Sequence, residues 1–365
     1  MADEEAINKK FEEELENLRD QIAELQDEQN DGFFPRGKQC NFIIKDKPRR
    51  TLKGHFGKIY ALHWSGPRDG ILNHVGQVAT VSQDGKLIIW DAHTANKSRA
   101  INLRSSWMMT CAFERSTNAM VARGGLDNHC TIHPLSGENE RKMSNFNEDK
   151  TRICLGEHDG YVSCCRFASP NRLISGSGDT KIASWDVESK TRERDFLGHT
   201  GDIMGIEFNP ADSNIFASAS VDTTAKWWDQ RTERAAFTFR GHESDVNAID
   251  FLSNGNTIVT GSDDSSAMLF DIRCLQQINA LQSDSILAGI TSVAASSSGR
   301  LVIAGYDDYS FRVWDTLMHI DAPGSRKPFT PSVDGHLDRV SCVGVEATGK
   351  AIATGSWDEL VKIWA

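Results

Sequence analysis

One spacing governs this chain. Seven times an Asp stands six residues ahead of the end of a short apolar string: Asp84 before Trp90, Asp127 before His133, Asp179 before Trp185, Asp222 before Trp228, Asp264 before Phe270, Asp308 before Trp314 and Asp358 before Trp364. The strings read KLIIWD, CTIHP, KIASWD, AKWWD, AMLFD, SFRVWD and LVKIWA, and their ends lie 43, 52, 43, 42, 44 and 50 residues apart. A Gly-His or Glu-His dipeptide precedes five of them, at His55, His158, His199, His242 and His336; the second and sixth repeats lack it. Self-similarity at such a period means stacked supersecondary units, each unable to cover its own apolar faces.

Each unit holds three short patterns rich in β-branched and small residues, such as DVNAIDF, TIVTGSDD and AMLFD, separated by Gly, Asp, Asn and Ser. A fourth pattern precedes each Gly-His, as in TLKGH and FTFRGH. Four strands per unit predict an all-β, seven-bladed β-propeller, and residues 49–365, 317 in number, divide into blades of about 45. Ala, Gly and Ser ahead of each Asp let neighbouring blades approach. The ring must also close. TLKGH is an orphan strand at the start and the last repeat stops at Trp364 without an outer strand, so 49–54 should complete the final blade. A turn Asp accepts backbone N–H and imidazole hydrogen bonds, and the Trp packs over the pair. Groups that recur in this way maintain a fold rather than build one active site.

Residues 3–29 contain no Gly or Pro and suit a helix about 40 Å long. Its narrow seam runs through Asn8, Phe11, Leu15, Leu18, Ile22, Leu25 and Gln29. Residues 1–31 hold twelve acids and three bases, a charge of −9 out of −11 for the whole chain. Like charges disfavour self-pairing, so a heterotypic coiled coil with a basic or mixed partner helix is expected. A helix folded back on the propeller and a homodimer are the alternatives. DGFFPRGKQ follows as a hinge. The expected organisation is a coiled-coil helix over 1–31, a linker over 32–48 and the propeller over 49–365.

Little else carries chemistry. No apolar run approaches the ~18 residues of a membrane span, and neither a secretory leader nor a myristoylation or prenylation signal is recognisable. The rest of the chain carries about −2, which gives no basic field for nucleic acid. Eight cysteines without a CxxC pair read as reduced, buried thiols. Gly344–Lys350 fits G-x-x-x-x-G-K, but Ala351 replaces the Mg²⁺-binding hydroxyl and a strand follows, so a hairpin turn is expected. No GxSxG, HExxH, GxGxxG or clustered His/Cys spacing occurs, and neither an enzyme, a cofactor nor a metal is expected.

Residues that break the repeat are the candidates for binding. Lys58, Tyr60, Trp107, Met109, Tyr161, Asp202, Met204 and Asp245 lie just after the turns that lead into the innermost strands. Leu126, Asn128 and Trp357 lie at the Asp turns. In a propeller all these turns share one end, and together they offer an interface composition. Local cover of the channel mouth is the bland alternative.

The strings RRTLKGHFGKIYALHW, SQDGKLIIWDA, LRSSWMMTCAF, GGLDN, GYVSCCRF, GHESDVNAI, GITSV, AGYDDY and the final GSWD and KIWA resemble the heterotrimeric G-protein beta subunit family, of the conventional gamma-paired type, over essentially the whole chain. The resemblance implies a non-catalytic scaffold that dimerises with a gamma subunit through Phe11, Leu15, Leu18, Ile22 and Leu25. It implies that GDP-bound alpha docks on Lys58, Tyr60, Trp107, Met109, Leu126, Asn128, Tyr161, Asp202, Met204, Asp245, Asn247, Asp263 and Trp357, a face that effectors share. A side patch for the alpha N-terminal helix maps to Phe56, Lys86, Ile88 and Lys97. The implied location is the cytoplasm and the cytoplasmic face of the plasma membrane, reached through lipidated partners. A different WD-repeat adaptor is the runner-up. Several positions depart from the family: Phe56 replaces Leu and Val221 replaces Cys, both keeping an apolar contact, while Arg123 replaces a small residue and His133-Pro134 replaces an aromatic strand end, so a second blade weaker at its rim is expected. Ser283 stands where the family has a phosphorylated His, and 66–77 and 319–334 are lengthened.

Overall fold

The computed structural model describes residues 47–66, 76–103, 105–135, 152–317, 328 and 332–365. The expected coiled-coil seam, Phe11 to Leu25, lies outside these residues, as do most of both lengthened segments. Among the described residues, 28 strands form seven four-stranded sheets. The innermost strands are Ile59–Trp64, Met108–Phe113, Val162–Ser169, Ile203–Phe208, Val246–Phe251, Ile290–Ala295 and Val340–Val345. Each packs against the next, and the seventh returns to the first, which closes the ring. We number the blades one to seven in that order.

The closure is the one that the orphan strand demanded. Arg50–Lys53 pairs antiparallel with Leu360–Trp364, from Arg50↔Ile363 to Lys53↔Leu360. The outermost strand of blade seven therefore comes from the start of the repeats, and parting the ring there means breaking a complete ladder. Ser341 Oγ also donates to Ile59 O (2.6 Å) and Trp64 Nε1 to Gly344 O (3.0 Å) across the same seam.

The core is seven wedges rather than one mass. Each hydrophobic cluster draws on two neighbouring blades: Ile88 and Trp90 of blade one meet Ala353 and Ile363 of blade seven, and Cys164 and Phe196 of blade three meet Ile206 and Trp228 of blade four. Glycine three residues ahead of the Asp makes the wedge tight. A Cβ on Gly261 would lie 2.5 Å from Ile290 Cγ2 of the next blade. Cys164 and Cys165 belong to different wedges, so their side chains lie on opposite faces of the sheet. All described cysteines are free; Cys154 and Cys274 are exposed, contrary to the expectation that the thiols are buried. Gly344–Lys350 is a hairpin turn, with Gly349 N donating to Glu346 O (2.8 Å).

Inside each blade the recurring residues form a bonded unit. In blade four, His199 Nδ1 donates to Asp222 Oδ2 (2.8 Å), and its Nε2 lies 2.7 Å from Ser218 Oγ. Trp228 Nε1 donates to the same Ser218 Oγ (2.8 Å). One tautomer satisfies every atom: the serine proton goes to Nε2 and the serine oxygen takes the indole N–H. Asp222 also accepts the N–H groups of Thr200 and Thr224, which ties the incoming loop to the turn. The same unit recurs with Thr80, Ser175 and Thr354 as the shared hydroxyl, and in blade five Thr260 bonds His242 without an indole partner. In blade five Phe270 replaces the Trp. The Trp does not merely pack over the pair, as the sequence suggested; it is bonded into it.

Blades two and six have no such His, and an arginine takes its place. Arg123 occupies the Ser/Thr position four residues before Asp127 and pairs with that carboxylate. Arg312 Nη2 reaches Asp308 Oδ2 (2.6 Å), while Trp314 Nε1 donates to Tyr306 Oη (3.0 Å). Blade two is a complete four-stranded sheet despite Arg123 and His133-Pro134.

Burial raises the Asp222 and Asp264 carboxyls, but hydrogen bonds from His199 and His242 and from neighbouring hydroxyls outweigh it and hold both well below the carboxylate range. Burial keeps His158 and His199 below the usual imidazole value despite their Asp partners. Both shifts have the same sign: the unfolded chain binds more protons, so stability present at neutral pH is lost in acid. Denaturant unfolding should show the loss beginning below about pH 6.5, as imidazoles charge in the unfolded chain, and steepening below about pH 4. Ser218→Ala orphans two buried groups at once and should cost about 1–3 kcal/mol in the same measurement.

Candidate docking face

The loop leading into each blade and the Asp turn of that blade are stitched by one backbone bond, seven times over. Gln83 N donates to Lys58 O, Leu126 N to Trp107 O, Gly178 N to Tyr161 O, Val221 N to Asp202 O, Asp263 N to Asp245 O, Asp307 N to Gly289 O and Trp357 N to Arg339 O, at 2.9–3.2 Å. The residues singled out from the sequence are therefore equivalent positions on one rim, each fixed to its blade's turn. Trp107 and Asn128 sit there with φ of 64° and 61°. Asn tolerates that conformation in a turn, whereas a side chain as large as that of Trp107 rarely adopts it.

At the seam of blades seven, one and two the side chains form a chain of ring contacts. Lys58 Nζ lies 3.8 Å from the Trp357 ring centroid, and the Arg339 guanidinium lies 5.1 Å from the same ring. Tyr60 makes an edge contact with Trp357 (centroids 6.1 Å) and a tilted one with Trp107 (6.2 Å). Trp107 is 42 % exposed, and Leu126 near it on the rim 51 %, while Lys58, Tyr60 and Trp357 are half-buried, so the cluster is partly open to solvent. Opposite, Tyr161 Oη donates to Asp202 Oδ2 (2.8 Å), and burial with that bond pushes the phenol above its ordinary range. Asn247 Nδ2 donates to Asp263 Oδ1 (2.5 Å) and to Ile290 O (2.9 Å) of blade six.

Tyr60, Met109, Met204, Asn247 and Trp357 line the mouth of the central channel, around a cavity of about 290 Å³. The second residue of the innermost strand is Ser163, Asn247, Thr291 or Ser341 in four blades, each donating to a carbonyl of the next blade. In blades one, two and four it is Tyr60, Met109 and Met204. Three blades thus present apolar surface where the repeat uses a hydrogen bond.

The side patch is partly as expected. Phe56 is 76 % exposed, Lys86 Nζ lies 5.0 Å from its ring centroid, and Lys97 Nζ lies 5.5 Å from the Trp90 ring. Ile88 does not belong with them. It is 1 % exposed, because its strand runs through the middle of blade one and its side chain faces the wedge with blade seven. Sequence reading also missed Arg339 and Asp307, an ion pair at 2.9 Å that joins the rims of blades six and seven. Their place in the sevenfold loop-to-turn register was the available signal.

Among the described residues no group of three or more His, Cys, Asp or Glu could hold a metal ion. No described helix is long and apolar enough to cross a membrane.

Seven blades each turned on an Asp, four of them tied by the full set of Asp, His, hydroxyl and Trp, with one rim built of aromatic and charged side chains, define a WD-repeat propeller organised for protein contacts. The family described as "G protein beta WD-40 repeat protein" matches residues 6–365. A protein named guanine nucleotide-binding protein subunit beta from Lymnaea stagnalis is 46 % identical over 355 residues, covering 96 % of this chain and 97 % of that protein. The chain belongs to the G-protein beta WD-repeat family.

Ile88→Ala should cost about 2–5 kcal/mol in stability, as a core truncation does. Lys86→Ala, on the surface, should stay within about 0.5 kcal/mol of the parent in the same unfolding assay.

Proposed function

We propose that this chain pairs with a gamma subunit through its N-terminal segment and docks the GDP-bound alpha subunit on the aromatic rim, releasing that rim to effectors when alpha exchanges its nucleotide. The observation that carries this reading is the continuous, partly exposed cluster of Lys58, Tyr60, Trp107 and Trp357 on one rim, with the backbone of Lys58, Trp107 and Trp357 stitched between loop and turn. Solvent-facing tryptophans flanked by cations have the composition of binding hot spots. Lys58 Nζ over Trp357 sets a charged group at the edge of an apolar plate, which suits an amphipathic surface with a carboxylate at its rim.

Rigidity supports the same reading. A rim whose backbone is bonded to its turns loses little freedom on docking, so more of the contact energy survives as affinity. Occlusion follows from shared use: alpha and an effector that need the same tryptophans exclude each other. The chain acts as a non-catalytic scaffold, and nucleotide hydrolysis belongs to alpha. Membrane attachment comes from lipidated partners and places the complex at the cytoplasmic face of the plasma membrane. Phe56, Lys86 and Lys97 offer a second, lateral contact for the alpha N-terminal helix.

The test is titration of the beta–gamma dimer with alpha bound to GDP and to a GTP analogue. Trp107→Ala, Lys58→Ala and Trp357→Ala should each weaken the GDP-state complex by about 1–3 kcal/mol. Ile278→Ala, on the outermost strand of blade five, should leave it unchanged. Binding that ignores the nucleotide, or titration curves unmoved by all three substitutions, would favour a different WD-repeat adaptor. Copurification should yield soluble chain only with gamma present; monodisperse chain made without gamma would refute obligate pairing.

A further inference from the structure

At the end of the channel away from the rim, a cavity of about 390 Å³ has a charged wall. The fifth residue of the innermost strand lines it in every case that carries charge or imidazole: His63 in blade one, Arg166 in blade three, Glu207 in blade four and Asp250 in blade five. The repeat does not require charge at this position, since blades two, six and seven carry Ala112, Ala294 and Gly344. These groups are linked across the blade seams. His63 Nδ1 accepts the Phe113 N–H (3.1 Å) of blade two, and Arg115 Nη2 lies 3.4 Å from His63 Nε2. Glu207 is held by Arg166 Nε (2.6 Å) and faces Arg115 at 3.7 Å. Asp250 differs. It accepts the N–H groups of Phe251 (2.7 Å) and, in blade six, Ala295 (2.8 Å), and no cation pairs with it among the described residues.

We propose that Glu207 and Asp250 form a proton-sensitive joint in the ring: Arg166 and Arg115 keep Glu207 anionic, while Asp250 takes up and releases a proton, so the blade four–five–six sector is relaxed when Asp250 is protonated and loaded when it is not. The charges that face Asp250 are few. Glu207 opposes it from blade four, Arg115 and Arg166 lie across the cavity, and Glu346 lines the wall from blade seven. The lining segment of blade six, Val293 to Ser297, and the adjacent strand Thr257–Ser262 carry no charge. With Asp250 ionised these groups sum to one excess negative charge; with it protonated they balance. Burial first, and then Glu207, push the Asp250 carboxyl up to about 7, against the pull of its two backbone N–H donors and Arg115. On Glu207, burial is outweighed by Arg166 and Arg115, and its carboxyl lies below the usual range. The same strand carries Asn247, which grips Ile290 of blade six at the rim, so one strand latches the blade five–six seam at both ends.

The sign is opposite to that of the Asp–His units. A carboxyl raised on folding binds more protons in the native state, so its contribution falls as pH rises from the unfolded value to the folded one. The test uses the full chain, purified with its partner subunit, and compares melting temperature from about pH 5.5 to 8 for the parent and Asp250→Asn. Asparagine removes one acceptor, so the slope and not the absolute stability is the readout. The parent should lose ~2–4 °C relative to Asp250→Asn across that interval. In parallel, ¹³C-carboxyl spectra of Asp-labelled protein should contain one signal that titrates near neutrality and is absent from Asp250→Asn. Parallel melting profiles, or Asp signals that all titrate below about pH 5, overturn the proposal. Should Asp250→Asn fail to fold, Glu207→Gln decides: the near-neutral signal should move to lower pH, and an unmoved midpoint overturns the joint.

Discussion

The fold depends on what a buried carboxylate does at each Asp turn. In five blades it accepts an imidazole N–H and two backbone N–H groups, one from the incoming loop and one from its own turn, as Asp222 does. A carboxylate so placed must stay bonded, because leaving it unpaired in a low-dielectric site is costly. Loop and turn therefore cannot move apart without breaking several bonds together. The rim inherits its order from these turns, since each stitch is donated one residue before the carboxylate, and at Lys58 and Asp202 it is accepted two residues after the loop N–H that the carboxylate holds. Docking residues that look like loop decoration thus ride on the most strongly bonded part of each blade.

Where the unit is interrupted, the chemistry is replaced and not abandoned. Arg123 and Arg312 bring a guanidinium to Asp127 and Asp308, where other blades use an imidazole. The exchange changes the response to acid. An Arg–Asp pair titrates only through the carboxylate, whereas a His–Asp pair also answers through the imidazole. Blade six goes further, with Tyr306 Oη serving as acceptor for the indole of Trp314 and the Arg312 guanidinium lying 4.4 Å from the Tyr306 ring centroid. The ring tolerates such local rewriting because each wedge of core belongs to only two blades.

The two ends of the channel follow different physics. At the rim, apolar Tyr60, Met109 and Met204 interrupt a series of hydrogen-bonding residues and leave surface that water covers poorly. At the far end, Arg166, Glu207 and Asp250 interrupt a series of small residues and place charge on a narrow, partly dry wall. The first arrangement suits a macromolecular contact. The second makes the blade four–five–six sector sensitive to protons. Both are departures from the repeat, and both were reachable only by comparing equivalent positions around the ring.

Sequence periodicity alone determined the blade number, the four-strand unit, the role of the Asp and the closure by 49–54, because a sevenfold recurrence constrains every copy at once. It also brought Lys58, Trp107, Leu126 and Trp357 to one end, since turns of one kind share one face in any propeller. What it could not decide was depth and partnership. Ile88 reads as surface beside Lys86, yet it is buried, because a central strand of a packed blade has both faces covered. The shared hydroxyl that joins His to Trp was invisible, because Ser and Thr are common before turns and only the fold brings Ser218 between His199 and Trp228. The Arg339–Asp307 pair and the Glu207–Asp250 neighbourhood each join residues more than thirty positions apart in the chain, and ring closure is what sets them within electrostatic reach.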